Sequence, residues 1–149
     1  MNHLTLENCN ARLLEAFPKL QAAFDEEREK YGEVLHHVLF VHIFARTLRE
    51  QMELSLAPDA SKNEDWEMRR QKSNALVNFR ERAFDFMEEM ANSADMQVVF
   101  LLDTGILESL LGGKQGDWAR FSPHFRRSTA KIAGKLAQRM RIDTTGRVK

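Results

Sequence analysis

Apolar residues recur along this chain mostly at helical spacing, three and four apart, with polar residues on the intervening positions. The window 94–111, ADMQVVFLLDTGILESLL, departs from that rhythm. It is the most apolar stretch of the chain and contains no basic residue. At 100° per residue, Val98, Val99, Leu102, Ile106 and Leu110 share one broad side, which Phe100, Leu107 and Leu111 extend. Gln97, Thr104 and Glu108 form a narrow polar strip opposite. An arc that wide suits a helix packed on several sides. A buried strand over 98–102 is the rival, with 38–44 as its only partner, and a lone two-stranded pair is marginal. Ser93 as a cap and Gly112-Gly113 as a stop favour the helix.

Five further helices follow from the same pattern. The first begins near Thr5 and carries Leu6, Leu13, Leu14 and Phe17. Pro18 breaks it or opens the next, where Leu20, Phe24 and Tyr31 are expected to face a core and Gly32 to stop the helix. A third runs from Glu33 to Leu56 through Leu35, Val38, Leu39, Ile43, Phe44, Leu48 and Met52. The polar stretch 57–65 is a loop. A fourth spans about 64–91, with Trp66, Leu76, Phe79, Phe84, Met87 and Met90 inward and Arg69, Arg70, Lys72, Arg80 and Arg82 outward. In the loop after Gly113, two aromatics are expected to fold back on the core. The last helix starts at Ser122-Pro123 and carries an apolar stripe from Phe125 through Ile132 and Leu136 to Met140. The expected fold is all-α: one domain over 1–141, five to six helices around the central helix, and a frayed tail over 142–149.

Length agrees with one domain. At 149 residues, about 69% of the chain's surface is expected to be buried on folding, enough for a core without disulfides or metal. The single cysteine, Cys9, excludes an internal disulfide and suits a reducing cytoplasm. Asp95, Asp103 and Glu108 argue against a membrane span over the central window, and the N-terminus does not read as a signal peptide.

Charge changes the picture more. The formal net charge is zero, yet residues 1–111 carry 12 Lys+Arg and 20 Asp+Glu, while 112–149 carry 10 and 2. An acidic body is thus followed by a basic last helix, and either face could meet a partner.

Candidate chemistry is sparse. Glu33 and His36 form a Glu-x-x-His, which on a helix places both side chains on one face; a di-iron site needs a second copy, and the chain has none. His36 and His42 lie six apart, well off one helical face. Glycine-rich phosphate loops, His-Glu-x-x-His and nucleophile elbows are absent from the sequence. A Cys9 nucleophile would need a histidine partner that sequence does not place. Asp103 falls on the apolar side of the central helix, so it must pair with an arginine, protonate, or cap a break at Thr104-Gly105, with a ligand-binding role as the remaining reading. No metal, cofactor or catalytic residue is assigned, and the chain is not expected to be an enzyme.

Several short motifs carry a family likeness. Ala16-Phe17-Pro18-Lys19-Leu20, Tyr31 and Leu35-His36-His37-Val38-Leu39-Phe40 resemble the opening of a family of small bacterial helical proteins of unknown function. Phe86-Met87-Glu88-Glu89-Met90 and Ile106-Leu107-Glu108-Ser109-Leu110 resemble its later blocks, and His36 stands where the family has a proline. The resemblance covers about two-thirds of the chain. It implies a helical fold and an immunity-type role, neutralising a bacterial toxin by binding it.

The expected function is therefore non-enzymatic protein binding, with a cognate toxin as partner and an acidic contact surface. That surface is Asp25, Glu26, Glu27, Glu29 and Glu33, continued over 50–67. The alternative is a nucleic-acid-associated regulator using Arg126, Arg127, Lys131, Lys135 and Arg139 on the basic helix 123–141. Oligomeric state is not readable.

Overall fold

The two stretches that read as rival strands both fold as helix: 38–44 lies in a segment wound more widely than an α-helix, and 98–102 passes from α-helix into a second such segment. In the computed structural model, Val38–Ala45 and Leu101–Leu107 are π-helical. The described residues are 4–56, 66–112, 116–142 and 144, less the side chains of 54–56, 66–74 and 76. Local chemistry favours the wide turns. The Thr47 hydroxyl donates to Ile43 O at 2.6 Å and the Thr104 hydroxyl to Phe100 O at 2.8 Å. A hydroxyl bonded to the i−4 carbonyl competes with the backbone N–H that an α-turn would place there. Val38, Val41 and Ile43 add β-branched crowding.

Seven helices are present among the described residues, and no strand. They are α1 (Cys9–Ala16), α2 (Gln21–Tyr31), α3 (Val38–Ala45 continued by Arg46–Leu56), α4 (Trp66–Ala91), α5 (Met96–Phe100, Leu101–Leu107 and Glu108–Leu111), α6 (Asp117–Phe121) and α7 (Arg127–Met140). The architecture is an all-α bundle with α5 at its centre. Besides α3 and α4, the last helix α7 also packs on α5. The widened segments of α3 and α5 meet directly. A Cβ on Gly105 would lie 3.2 Å from a Val41 methyl, a tight contact that the glycine avoids.

Val98, Leu102, Ile106, Leu107 and Leu110 of α5 are buried. They meet Leu39, Phe40, Phe44 and Leu48 of α3 and Ala83, Phe84, Met87 and Met90 of α4 in one core. Phe17 stands among Phe44, Phe79 and Phe86, with ring centroids 5.2–6.1 Å away. Such pairs each add about 0.5–1.5 kcal/mol to simple burial.

Several boundaries differ from expectation because tertiary partners supply the caps. The first helix starts at Cys9 rather than near Thr5. Thr5 and Asn8 hydrogen-bond each other reciprocally instead, at 2.8 and 3.3 Å, making a turn. At the head of α5 the cap is Asp95, not Ser93: its carboxylate accepts from Gln97 N at 3.0 Å and from Leu6 N at 2.8 Å. Ser93 donates to Leu4 O, so both residues pin the N-terminal strap. Ser122–His124 forms a separate 3-10 turn, and α7 begins at Arg127. Glu88 of α4 caps α7, accepting from Ser128 N at 3.0 Å and from Thr129 N at 2.8 Å. Gly32 stops α2 as expected, in the left-handed conformation at φ 81°.

Several residues of the expected apolar faces are on the surface, Leu35 and, narrowly, Met140 among them. Tyr31, beside the stop, is 72% exposed; Phe100 is 66% exposed, because α5 is covered by α3, α4 and α7 and open on the remaining side. Trp118 and Phe121 do fold onto the core, and the segment carrying them is the helix α6 rather than a loop. The expectations for Trp66, Leu76, Arg69, Arg70, Lys72, the loop 57–65, Gly113 and the tail at 143 and 145–149 lie outside the described residues.

Buried charge closes the far end of the bundle. Arg49 of α3 donates to both carboxylate oxygens of Asp117, at 2.9 and 3.1 Å, and to the terminal carbonyls of α5 at Ser109 and Leu110, each at 2.9 Å. One side chain thus joins α3, α5 and α6.

The Glu88 cap makes stability pH-dependent. Desolvation, the largest contribution, opposes its ionisation, yet hydrogen bonds from Thr129 and Ser128 hold the carboxyl down to about 2, below the ordinary 4.5. A carboxyl depressed by folding stabilises fully above its unfolded value, and that share is lost as pH falls towards the folded value. We expect Glu88→Gln to cost about 1–2 kcal/mol near neutrality, the range of a lost helix cap. The variant should also flatten the decline in stability between pH 4.5 and 2. Denaturant titrations across that range measure both.

Candidate functional site

A groove of about 960 Å³ runs between α2 and α3. Its outer wall is built by a helix with no buried residue: α2 is anchored through half-buried Phe24 and presents acidic side chains elsewhere. Pairs along α2 stabilise it locally, Asp25 with Arg28 and Glu26 with Lys30. Beyond Gly32 the chain turns back into α3, bringing Glu33, Leu35, Val38, His42, Ile43, Arg46 and Glu50 to face Glu26, Glu27 and Tyr31.

The groove is acidic over an apolar floor. Lys30 is paired with Glu26, and Arg46 with Glu50 at 3.1 Å. Glu27 and Glu33 make no ion pair among the described residues. Of the five acidic residues expected to form a contact face, the structure brings Glu26, Glu27 and Glu33 to the groove. Asp25 and Glu29 do not line it, and Asp25 is held by Gln21 and Arg28. Glu50 joins from α3. Glu53 turns towards Arg120 at 3.8 Å, while the side chains of Glu64, Asp65 and Glu67 lie outside the described residues. Sequence reasoning placed the acidic residues near one another but missed Tyr31, Leu35, Val38 and His42 as part of the same surface; Ile43 lines the groove from the core, where its spacing had put it.

A smaller hollow of about 430 Å³ lies on the open side of α5, lined by Leu6, His36, His37, Met96, Phe100 and Leu101, with Gln97 and Thr104. Met96, Phe100 and Thr104 are spaced i, i+4, i+8 along the uncovered stripe.

Histidine geometry differs from the reactive arrangements considered from sequence. Glu33 and His36 do not share a helical face, since Glu33 precedes the helix and lines the acidic groove. His36 turns inward: its Nδ1 lies 2.9 Å from Asn10 Oδ1 and 3.4 Å from Cys9 Sγ. Although a Cys–His–Asn set is assembled, both contacts fall on one nitrogen. With Asn10 Oδ1 as acceptor, Nδ1 carries the proton and cannot take one from the thiol. Cys9 is fully buried and donates to Leu6 O, and desolvation pushes its thiol up to about 11. That is the reverse of an activated nucleophile. Among the described residues no group of three or more His, Cys, Asp or Glu could hold a metal ion.

The basic residues of the last helix divide into two sets. Arg126 precedes α7 and pairs with Glu81 at 2.5 Å and Asp85 at 3.1 Å. Arg139 pairs with Asp103 at 2.8 Å, which answers the question of that carboxylate: it joins α5 to α7 and caps nothing. Arg127, Lys131 and Lys135 remain as an exposed stripe with no ion pair among the described residues.

The fold and its surface thus define an all-α bundle with an acidic, apolar-floored groove. The chain belongs to a family described as a domain of unknown function (DUF7674), whose model matches residues 10–141. No curated protein and no solved structure matches it. No helix among the described residues is long and apolar enough to cross a membrane.

The Cys9 environment makes a sharp prediction. Iodoacetamide at pH 8 should alkylate Cys9 at least about a hundredfold more slowly than a free thiol, as expected for a group that is mostly protonated and shielded. Full reactivity should return in denaturant. Rapid alkylation of the folded protein would mean that the pocket opens or the thiol is activated.

Proposed function

We propose that this chain is a non-enzymatic protein-binding module whose acidic α2–α3 groove receives a cationic surface of a partner protein. The observation that carries the proposal is the pair of carboxylates at Glu27 and Glu33, unneutralised over the apolar floor of Val38 and Ile43. Such a surface attracts a basic partner at long range and offers apolar burial on contact. Within that reading the partner is a bacterial toxin, neutralised by binding in the manner of an immunity protein. A toxin that acts on nucleic acid or anionic substrates would carry the complementary basic surface.

A second reading keeps α7 as a nucleic-acid contact, supported by the stripe of Arg127, Lys131 and Lys135. Only three of the five cations assigned from sequence are available to it, since Arg126 and Arg139 are held by carboxylates of the same chain. Its prediction is affinity for double-stranded DNA or RNA that falls steeply with salt. Absence of binding at low salt disposes of it.

Co-expression with a toxin encoded beside this chain tests the first reading. The native chain should restore growth of a poisoned bacterial host. For the purified pair, Glu27→Lys with Glu33→Lys should slow association about tenfold or more at low salt, and added salt should shrink the difference. Reversal at Glu29, off the groove, should change it far less. Unchanged kinetics in the double variant at low salt would remove this face from consideration.

A further inference from the structure

We infer that the acidic groove and the hollow beside α5 form one bipartite docking surface, whose occupant is a cationic amphipathic segment of the partner with large apolar side chains at one end. This rests on the reading of the acidic groove as a protein contact and specifies the chemistry of what fills it.

Continuity is the first support. Leu35 lines the acidic groove and the next residue, His36, lines the hollow. His42 lines the groove and His37 the hollow, and their rings touch edge to face with centroids 5.8 Å apart. The wide turn of the π-helical segment brings residues five apart into contact; in an α-helix they would be separated by about 140°.

Exposure is the second support. Among the described residues six large apolar side chains are exposed. Val77 and Met140 are so only narrowly, at 39% and 37%. The other four, at 60–72%, are Tyr31 and Leu35 on the groove and Met96 and Phe100 on the hollow. Leaving four such side chains in water on one contiguous surface marks an interaction site rather than scattered surface apolarity. Charge selects the occupant: Glu27 and Glu33 favour lysine and arginine at one end, and Met96 and Phe100 favour leucine or phenylalanine at the other. The aliphatic stems of the partner's basic side chains can cover Tyr31 and Leu35 while their charged ends reach the carboxylates.

Fluorescence anisotropy with synthetic helices tests this. One labelled peptide carries Lys and Arg along a face and Leu and Phe at i, i+4 near one end. A second replaces Leu and Phe with Gln, and a third replaces Lys and Arg with Glu. The first should bind most tightly, the second about tenfold more weakly, as expected from losing one or two buried apolar side chains. The third should not bind. Phe100→Ser, and separately Met96→Ser, should weaken the first peptide to about the level of the second and leave the second unchanged; circular dichroism checks that both variants fold. Glu27→Lys with Glu33→Lys should weaken both cationic peptides.

Equal binding of the two cationic peptides, with loss only on charge reversal, overturns the bipartite surface and leaves the acidic groove standing. Binding indifferent to charge reversal overturns both. A concentration-dependent dimer of this chain that dissolves in Phe100→Ser assigns the hollow to a second copy and also overturns the proposal.

Discussion

Gly105 and Val41 hold the two widened helical segments at the distance on which the remaining packing depends. With 3.2 Å between a would-be Cβ and the Val41 methyl, a side chain at 105 would force that methyl to give by a few tenths of an ångström. Close approach at this point lets Leu39, Phe40 and Phe44 of α3 share a core with Leu102 and Ile106 of α5. It also fixes which faces stay open. The outer side of α3 becomes the inner wall of the acidic groove, and the uncovered stripe of α5 becomes the floor of the hollow.

Charges complete what this apolar contact begins. Most of the charged residues that the interior or half-interior holds are spent on joining elements. Arg49 and Asp117 bind three helices at one end, Glu88 caps α7 from α4, and Asp103 with Arg139 clips α7 to α5. Removing one member of a buried pair leaves the other without compensation, which is why such contacts constrain geometry even where their net stabilisation is small. The acidic body and basic final helix are therefore partly reconciled within one molecule. What remains unneutralised on the surface, Glu27 and Glu33 on one side and Arg127, Lys131 and Lys135 on another, is the charge available to partners.

The candidate site was legible in its charge but not in its shape. Clustering of Glu26, Glu27 and Glu33 follows from their proximity in the chain. Glu50, seventeen residues beyond Glu33 on the same side of the groove, meets Glu26 and Glu27 only through the turn at Gly32 and the packing of α2 on α3. Tyr31 and Phe100 misled because helical spacing shows that apolar residues share a side, not whether a neighbour covers that side. Arg49, Asp117 and Glu88 carried no local signal at all. Each acts on backbone groups or charges of another element, at separations of 40 to 68 residues.

Sequence alone determined the helical class, the central place of the 94–111 stretch, the stop at Gly32, the absence of a disulfide within the given chain and the division of charge along it. All of these rest on local propensity, periodicity or composition, which are properties of neighbouring residues. Only the tertiary structure decided that the central helix and α3 are widened where they meet, that Glu88 and Asp95 are the caps, and that Asp103 is an ion-pair partner. The position of the open surface belongs with them. A helix can announce its apolar face, but burial and hydrogen-bond satisfaction are settled by the partners that arrive from elsewhere in the chain.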